Sequence, residues 1–219
     1  SLWVSFDVAA LCKKMSPDEF MSAVDEERKY SSDTYLVYLN KKTSTKSANE
    51  YDHFSVKMPS KKIDDYELVK TFESFAAMKK WIKAEHNKNI SKKLVEDMYV
   101  ALNSQNLDAL DKYWHQDMIW HGPPDFYGDI FGLNNFKEKV MKPFYAAFPD
   151  YFVKNDIVCA DEKWVSATGF LTGTHEGTYL DIKPTRKKIK MQFSDFWLVE
   201  DGKFSENFVM VDNYSVLQQ

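Results

Sequence analysis

The chain has 219 residues, of which 44% are hydrophobic and 16% aromatic, and its formal net charge is −4. This size and composition predict one large globular domain, or one domain with a smaller partner, and exclude a repetitive or disordered chain. The acidic balance offers no basic surface for nucleic acid, and no apolar run approaches the roughly 20 residues that a membrane span needs.

The N-terminal part begins with a clear helix signal. In the run Ser16-Pro17-Asp18-Glu19, Ser16 is the expected cap, proline follows at the first helical position, and Glu19 reaches back to the cap. We expect this helix to end near Tyr30. Runs of β-forming residues then predict three strands, at 33–39, 51–58 and 66–72.

A second helix is expected after Ser74, where apolar side chains recur at helical spacing. The segment HNKNIS, residues 86–91, is polar and predicts a boundary between two domains. Residues 1–88 would form a small α+β unit whose role the sequence does not indicate. Residues 89–219 would form the second domain.

The second domain opens with helical patterns and continues with strands. One helix is expected from Ser91 through Leu102, and Asn106 caps a shorter one. A helix over 133–148 contains Pro143, which should kink or split it. Strands are expected at 117–121, 152–159 and 164–174, followed by a hairpin over 187–212.

This order of elements predicts an α+β fold, in which helices pack over one face of a curved antiparallel sheet. Such a sheet encloses a cone-shaped hollow, and hollows of this kind bind small ligands. Because many of the side chains that would line it are aromatic, the expected ligand is a small hydrophobic molecule.

The hairpin over 187–212 contains the strongest candidate for a functional group. Asp201-Gly202 separates two alternating apolar runs, which predicts a two-residue primed turn. With that turn, Val199 pairs with Phe204, and Asp195 lies in the middle of an apolar face. The other pairs expected from this register are Trp197 with Glu206, Asp195 with Phe208, Phe193 with Met210, and Met191 with Asp212.

A carboxylate in the middle of an apolar face loses its hydration, and the usual result is a raised pKa. Because a carboxylate with a raised pKa can take up and return a proton, Asp195 is a candidate general acid/base. Two alternatives are a carboxylate that is hydrogen-bonded for structural reasons and a carboxylate on a solvated face.

Six short motifs follow one another along the second domain. They are WHGPP at 120–124, FPD at 148–150, GTHEG at 173–177, PT at 184–185, DFWLVEDGK at 195–203 and VDNY at 211–214. Their order and spacing over residues 91–219 resemble the SnoaL-like polyketide cyclases, which belong to the nuclear transport factor 2-like superfamily. The sequence departs from the family pattern at Arg186, where glycine is usual.

The resemblance implies a cone-shaped α+β barrel that is usually dimeric and needs no cofactor, so we expect a homodimer. It also implies ring closure by intramolecular aldol condensation, with Asp195 as the general acid/base in a hydrophobic pocket. His175 and His121 are further catalytic candidates, and the alternative for each is a structural histidine in the core. The residues expected to bind the substrate are Trp120, Phe148, Phe193, Trp197, Glu206, Phe208 and Met210.

Three functions remain open from the sequence. The first is a cyclase or isomerase, and the second is a non-catalytic module that binds a small ligand or a partner. The third is a hydrolase, which would use Glu206 or Asp212 as a second acid. No histidine pair has metal-ligand spacing, so no metal is expected. Cys12 and Cys159 lie far apart, which predicts no disulfide framework and a reduced, cytoplasmic setting.

Overall fold

The computed structural model describes residues 2–5, 36–41, 51–59, 66–72, 74–124 and 126–214. The chain divides into two compact units, residues 1–86 and residues 87–219. The predicted helix from Ser16 to Tyr30 lies outside the described residues.

The first unit contains a four-stranded antiparallel sheet in the order β1-β2-β3-β4. The third and fourth strands coincide with the β-rich runs at 51–58 and 66–72, where β-branched and aromatic residues favour extended backbone. The strand bounds are β1 Leu2–Ser5, β2 Leu36–Lys41, β3 Tyr51–Pro59 and β4 Tyr66–Phe72.

Helix α1 runs without a break over Phe75–Asn103. Its start is as predicted, since the Ser74 hydroxyl accepts a hydrogen bond from the backbone N–H of Ala77 at 3.2 Å. The segment HNKNIS, predicted as a domain boundary, lies within this helix, and the division between the two compact units falls after residue 86. That segment lacks glycine and proline, and its polar side chains can stay in the helix on a solvated face.

The second unit contains an open six-stranded sheet in the order β6-β5-β10-β9-β8-β7. All neighbouring strands are antiparallel except β5 and β10, which are parallel. The α+β expectation is therefore confirmed, with one parallel pair that the sequence did not predict. The strand bounds are β5 Trp114–His121, β6 Asp129–Phe131, β7 Phe152–Ala160, β8 Trp164–Thr174, β9 Lys188–Glu200 and β10 Lys203–Val211.

Short helices cover the inner face of this sheet. A 3-10 helix over Leu107–Lys112 is capped by Asn106, as expected. The predicted helix over 133–148 is continuous over 133–147 but changes to π-helical geometry in the turn before Pro143, which has no backbone N–H to donate. In chain order the three parts are α2 Leu133–Phe136, a π-helical segment Lys137–Met141, and α3 Lys142–Ala147.

The hairpin between β9 and β10 begins as predicted and then departs from the predicted register. Asp201 and Gly202 both have positive φ, 47° and 77°, as a primed turn requires. Val199 pairs with Phe204, but a bulge follows between Phe204 and Glu206. The pairs expected beyond Phe204 are therefore wrong by one residue.

The bulge changes which side chains of β10 face inward. Opposite Trp197, Asp195 and Phe193 lie Asn207, Val209 and Val211. Directly paired residues share a face of the sheet, so these three β10 side chains face inward. The predicted inward residues Glu206, Phe208 and Met210 lie on the outer face instead, where Phe208 and Met210 are exposed.

Gly169 gives a test of how tightly β8 fits against β7. A Cβ atom at this position would lie 2.0 Å from the carbonyl oxygen of Lys154. Gly169→Ala should therefore lower the free energy of unfolding by about 1–3 kcal/mol or more, because backbone must move. Urea unfolding measures this change. Ser166→Ala, on the same strand, is the control, and equal stability of the two variants would contradict the proposed steric conflict.

Candidate active site

The second unit encloses a cavity of about 110 Å³ between its helices and the inner face of the six-stranded sheet. Its lining is largely aromatic and aliphatic, with few polar groups. Among the predicted site residues, Trp120, Phe193, Asp195 and Trp197 line this cavity. Alternation along β9 therefore identified its inward face correctly.

Asp195 lies in the middle of β9 and is 7% exposed. The hydroxyl group of Tyr99, on α1, donates a hydrogen bond to Oδ2 of Asp195 at 2.7 Å. The side-chain amide of Asn207, on β10, donates to Oδ1 at 3.3 Å. The carboxylate is thus held from the helix layer on one side and from the neighbouring strand on the other.

Burial raises the pKa of Asp195 to about 7, although the hydrogen bonds from Tyr99 and Asn207 act in the opposite direction. The same burial, together with the charge of Asp195, raises the pKa of Tyr99 well above its ordinary value. Tyr99 therefore stays a neutral hydrogen-bond donor, while Asp195 can exchange a proton near neutral pH.

Sequence analysis missed both partners of Asp195. Tyr99 follows Val95 by four residues, so it extends the predicted apolar face of the helix, and a phenol on a buried face was the available signal. No signal marked Asn207, because its orientation depends on the bulge after Phe204. A regular hairpin would have turned this amide away from the cavity.

A second cluster of polar residues, separate from the one around Asp195, lies elsewhere in the cavity lining. The hydroxyl of Tyr179 donates a hydrogen bond to Oδ1 of Asn213 at 2.8 Å, and both residues are buried. Tyr127 also lines the cavity and interacts with the Tyr179 hydroxyl through its own hydroxyl. Tyr179 lies in the loop between β8 and β9, next to Leu180, which has a positive φ of 47°.

His121 does not line the cavity, since it lies on the outer face of β5. Its ring stacks on Phe208 with centroids 4.1 Å apart. Its Nδ1 lies 2.8 Å from Asp129 and its Nε2 lies 2.9 Å from Glu206. Burial works against a charge on His121, but the two carboxylates outweigh it and raise its pKa.

His175 is fully buried but also lies outside the cavity lining. Its Nδ1 lies 3.2 Å from the hydroxyl oxygen of Thr185 and 3.4 Å from the backbone nitrogen of the same residue. Its backbone pairs with Arg186 and Lys187, which closes the loop between β8 and β9. Phe148 packs against this ring, with centroids 5.4 Å apart, and does not line the cavity either.

Neither a metal cluster nor a membrane span is found in the part of the chain that the structure describes. There, no three His, Cys, Asp or Glu side chains come close enough together to hold a metal ion. No described helix is both long and apolar enough to cross a membrane.

Comparison with known proteins places residues 93–219 in a family. The family model of SnoaL-like polyketide cyclases matches residues 93–219. No curated protein matches the chain.

Three solved structures illustrate the likeness in fold. A candidate polyketide cyclase from Acidithiobacillus ferrooxidans is 24% identical, with a TM-score of 0.53 over 59% of this chain and 93% of that chain. IdmH, a candidate polyketide cyclase from Streptomyces antibioticus, is 21% identical, with a TM-score of 0.51 over 57% and 94%. AclR, a candidate hydroxylase from Streptomyces galilaeus, is 24% identical, with a TM-score of 0.51 over 57% and 77%.

Removing the hydroxyl of Tyr99 should raise the pKa of Asp195 further. In Tyr99→Phe the carboxylate loses a donor that favours its charged form. The titration midpoint of Asp195 should therefore rise by roughly 0.5 to 1 pH unit. Carboxyl-resolved carbon NMR measures this midpoint. Tyr145→Phe is a matched control, because that hydroxyl donates to the carbonyl of Leu102. An unchanged or lower midpoint in Tyr99→Phe would refute the role of this hydrogen bond.

The raised pKa of Asp195 also predicts a dependence of stability on pH. The folded state holds this proton more tightly than the unfolded state. Proton binding by Asp195 therefore makes its full contribution to the free energy of unfolding below about pH 4, and this contribution is lost as the pH rises through 7. The amide of Asp195→Asn has no proton to release, so the variant does not lose this contribution as the pH rises. The stability of the variant relative to the wild type should therefore increase by roughly 2–3 kcal/mol between pH 5 and pH 8. Urea unfolding at both pH values measures it, and a constant difference would contradict the raised pKa.

Proposed function

Because the chain belongs to the SnoaL-like polyketide cyclase family, we propose that its second unit is an enzyme of cyclase or isomerase type. Asp195 is the general acid/base, and the substrate is a hydrophobic compound with a carbonyl group. The observation that carries this proposal is one carboxylate of raised pKa in the wall of an apolar cavity.

The proposed reaction begins with removal of a proton from the carbon next to the carbonyl. The Asp195 carboxylate takes this proton, and the electron pair of the broken C–H bond moves onto the carbonyl oxygen to form an enolate. In a cyclisation, the enolate carbon attacks a second carbonyl of the same molecule. Asp195 then returns the proton to the new alkoxide. In an isomerisation, it returns the proton to another carbon.

A pKa of about 7 suits both halves of this cycle. A carboxylate of ordinary pKa is ionised at neutral pH but is a weak base toward a proton on carbon. A higher pKa makes it a stronger base while leaving much of it ionised at pH 7, and the acid formed can give the proton back.

The two alternatives receive less support. A non-catalytic binding module gives no reason for a carboxylate of raised pKa in the cavity wall. A hydrolase would need a second acid beside Asp195. Among the described residues, Asp195 is the only carboxylate that lines the cavity, because Glu206 lies on the outer face and Asp212 is exposed.

Hydrogen–deuterium exchange at the carbons next to a ketone tests the proposal without the natural substrate. A panel of small cyclic ketones in D₂O should exchange faster with the protein, and the rate should rise as the pH passes through about 7. Asp195→Asn should reduce the protein-dependent rate at least a hundredfold. Proton NMR follows the exchange.

Asp156→Asn serves as the control, since this exposed carboxylate of β7 lies outside the cavity lining and its loss should leave the rate unchanged. Exchange that persists at the wild-type rate in Asp195→Asn would show that Asp195 is not the base.

A further inference from the structure

The second polar cluster of the cavity lining consists of Tyr127, Tyr179 and Asn213. Its members come from three separate segments of the second unit, which are the loop between β5 and β6, the loop between β8 and β9, and the residues that follow β10. Tyr179 and Asn213 are 5% and 7% exposed. Because polar groups buried this deeply need partners, the hydrogen bonds of the cluster can be counted.

The side-chain nitrogen of Asn213 is a donor that a ligand can reach. Tyr179 occupies only Oδ1 of this amide, and the nitrogen has no acceptor within the described residues. It is not sealed, because it is absent from the described side-chain atoms that lack both a partner and accessible surface. Those atoms are Nε1 of Trp114, Oδ1 of Asn155, Nε2 of His175 and Nε1 of Trp197. Since Asn213 lines the cavity, its nitrogen offers two hydrogens to a ligand there.

Tyr127 supplies an acceptor in the same cluster. Its hydroxyl interacts with that of Tyr179, whose own proton is committed to Asn213. Tyr127 is therefore the donor in that contact, and its oxygen keeps a lone pair for a ligand. Burial raises the pKa of both tyrosines, so both hydroxyls keep their protons at neutral pH.

The second polar cluster is separate from Asp195 along the sheet. Val209 on β10 pairs with Asp195, and Asn213 follows Val209 by four residues. Four residues of extended chain span roughly 13 Å. A ligand group bound by Asn213 is therefore remote from the group that faces Asp195.

We propose that the second polar cluster binds a hydroxyl group of the substrate. The hydroxyl oxygen accepts a hydrogen bond from the amide of Asn213, and the hydroxyl proton is donated to the oxygen of Tyr127. A group that both donates and accepts satisfies both partners, and the hydrogen bonds then close into a ring through Tyr179. This inference rests on the proposed function, because the hydroxyl belongs to the molecule whose carbonyl group faces Asp195. It narrows the substrate class to carbonyl compounds with a hydroxyl group remote from the reacting carbonyl.

A pair of ligands of similar shape isolates the hydroxyl group. The probes are 4,4,4-trifluorobutan-1-ol and 1,1,1-trifluoropentane, in which a CH₃ group replaces the hydroxyl. Fluorine NMR titration gives both affinities for the 219-residue chain. In Tyr127→Phe, the alcohol should lose roughly three- to tenfold more affinity than the alkane, because only the alcohol forms the hydrogen bond. The alkane controls for any change in the shape of the cavity.

Two further variants sharpen the assignment. Asn213→Leu removes the amide donor and should lower the affinity ratio of alcohol to alkane in the same direction. Tyr145→Phe is the matched control and should leave the ratio unchanged, because that hydroxyl donates to the carbonyl of Leu102. An unchanged ratio in Tyr127→Phe would overturn the proposal, as would a change confined to Asp195→Asn or an absence of alcohol binding to the wild type.

A measurement on the wild type covers the case in which a variant fails to fold. Intermolecular NOEs should connect the CH₂ group next to the hydroxyl of the bound alcohol with the ring protons of Tyr127. NOEs from this CH₂ group to the ring of Tyr99 alone would overturn the proposal. These binding measurements need no turnover. Ketone exchange that persists in Asp195→Asn would refute the proposed base alone, whereas an affinity ratio indifferent to Tyr127 would refute the hydroxyl site alone.

Discussion

The hydrogen bond between Tyr99 and Asp195 joins the helix layer of the second unit to the centre of its sheet, and the candidate site is arranged around it. A carboxylate on a central strand has exchanged its water shell for two donors, Tyr99 and Asn207. Two hydrogen bonds compensate only part of the lost hydration, so the pKa rises to about 7 even though both bonds favour the charged form. The position of Asp195 in the fold is therefore the cause of its chemistry.

The bulge after Phe204 decides what surrounds this carboxylate. Without it, the regular register would have brought Glu206 to the inner face opposite Trp197, and a second negative charge would have lain close to Asp195. With it, the amide of Asn207 occupies that place and donates a hydrogen bond, while Glu206 binds His121 on the outer face. One extra residue in β10 thus replaces the carboxylate of Glu206, which would repel Asp195, with the amide of Asn207, which donates a hydrogen bond to it.

The same bulge marks the limit of what could be predicted from the sequence. Alternation along β9 is uninterrupted, so the inward positions of Phe193, Asp195 and Trp197 followed from period two alone. A bulge leaves no pattern of its own in this sequence, and so every β10 side chain beyond it was assigned to the wrong face. The polarity of HNKNIS predicted a domain boundary, and the two compact units divide after residue 86. The helix nevertheless continues through this segment, which contains neither glycine nor proline.

Local motifs identified His175 and His121 as candidate catalytic residues, but they did not predict the contacts of the two rings. Their neighbours in sequence place them at strand ends, whereas their roles depend on contacts distant in sequence. Nδ1 of His175 contacts Thr185, and Nε2 of His121 contacts the carboxylate of Glu206. Those contacts require the folded sheet, and they place both rings outside the cavity lining.

The dry environment of Asp195 has two effects on the proposed reaction. It raises the free energy of the charged carboxylate, which makes Asp195 a stronger base. It also strengthens any hydrogen bond to the enolate oxygen, because little water competes for the charge. Proton transfer moves the negative charge from Asp195 to the substrate, so one end of the cavity must disfavour the charge and the other must accept it. The apolar lining around Asp195, the only carboxylate among the described residues of the cavity wall, meets the first requirement.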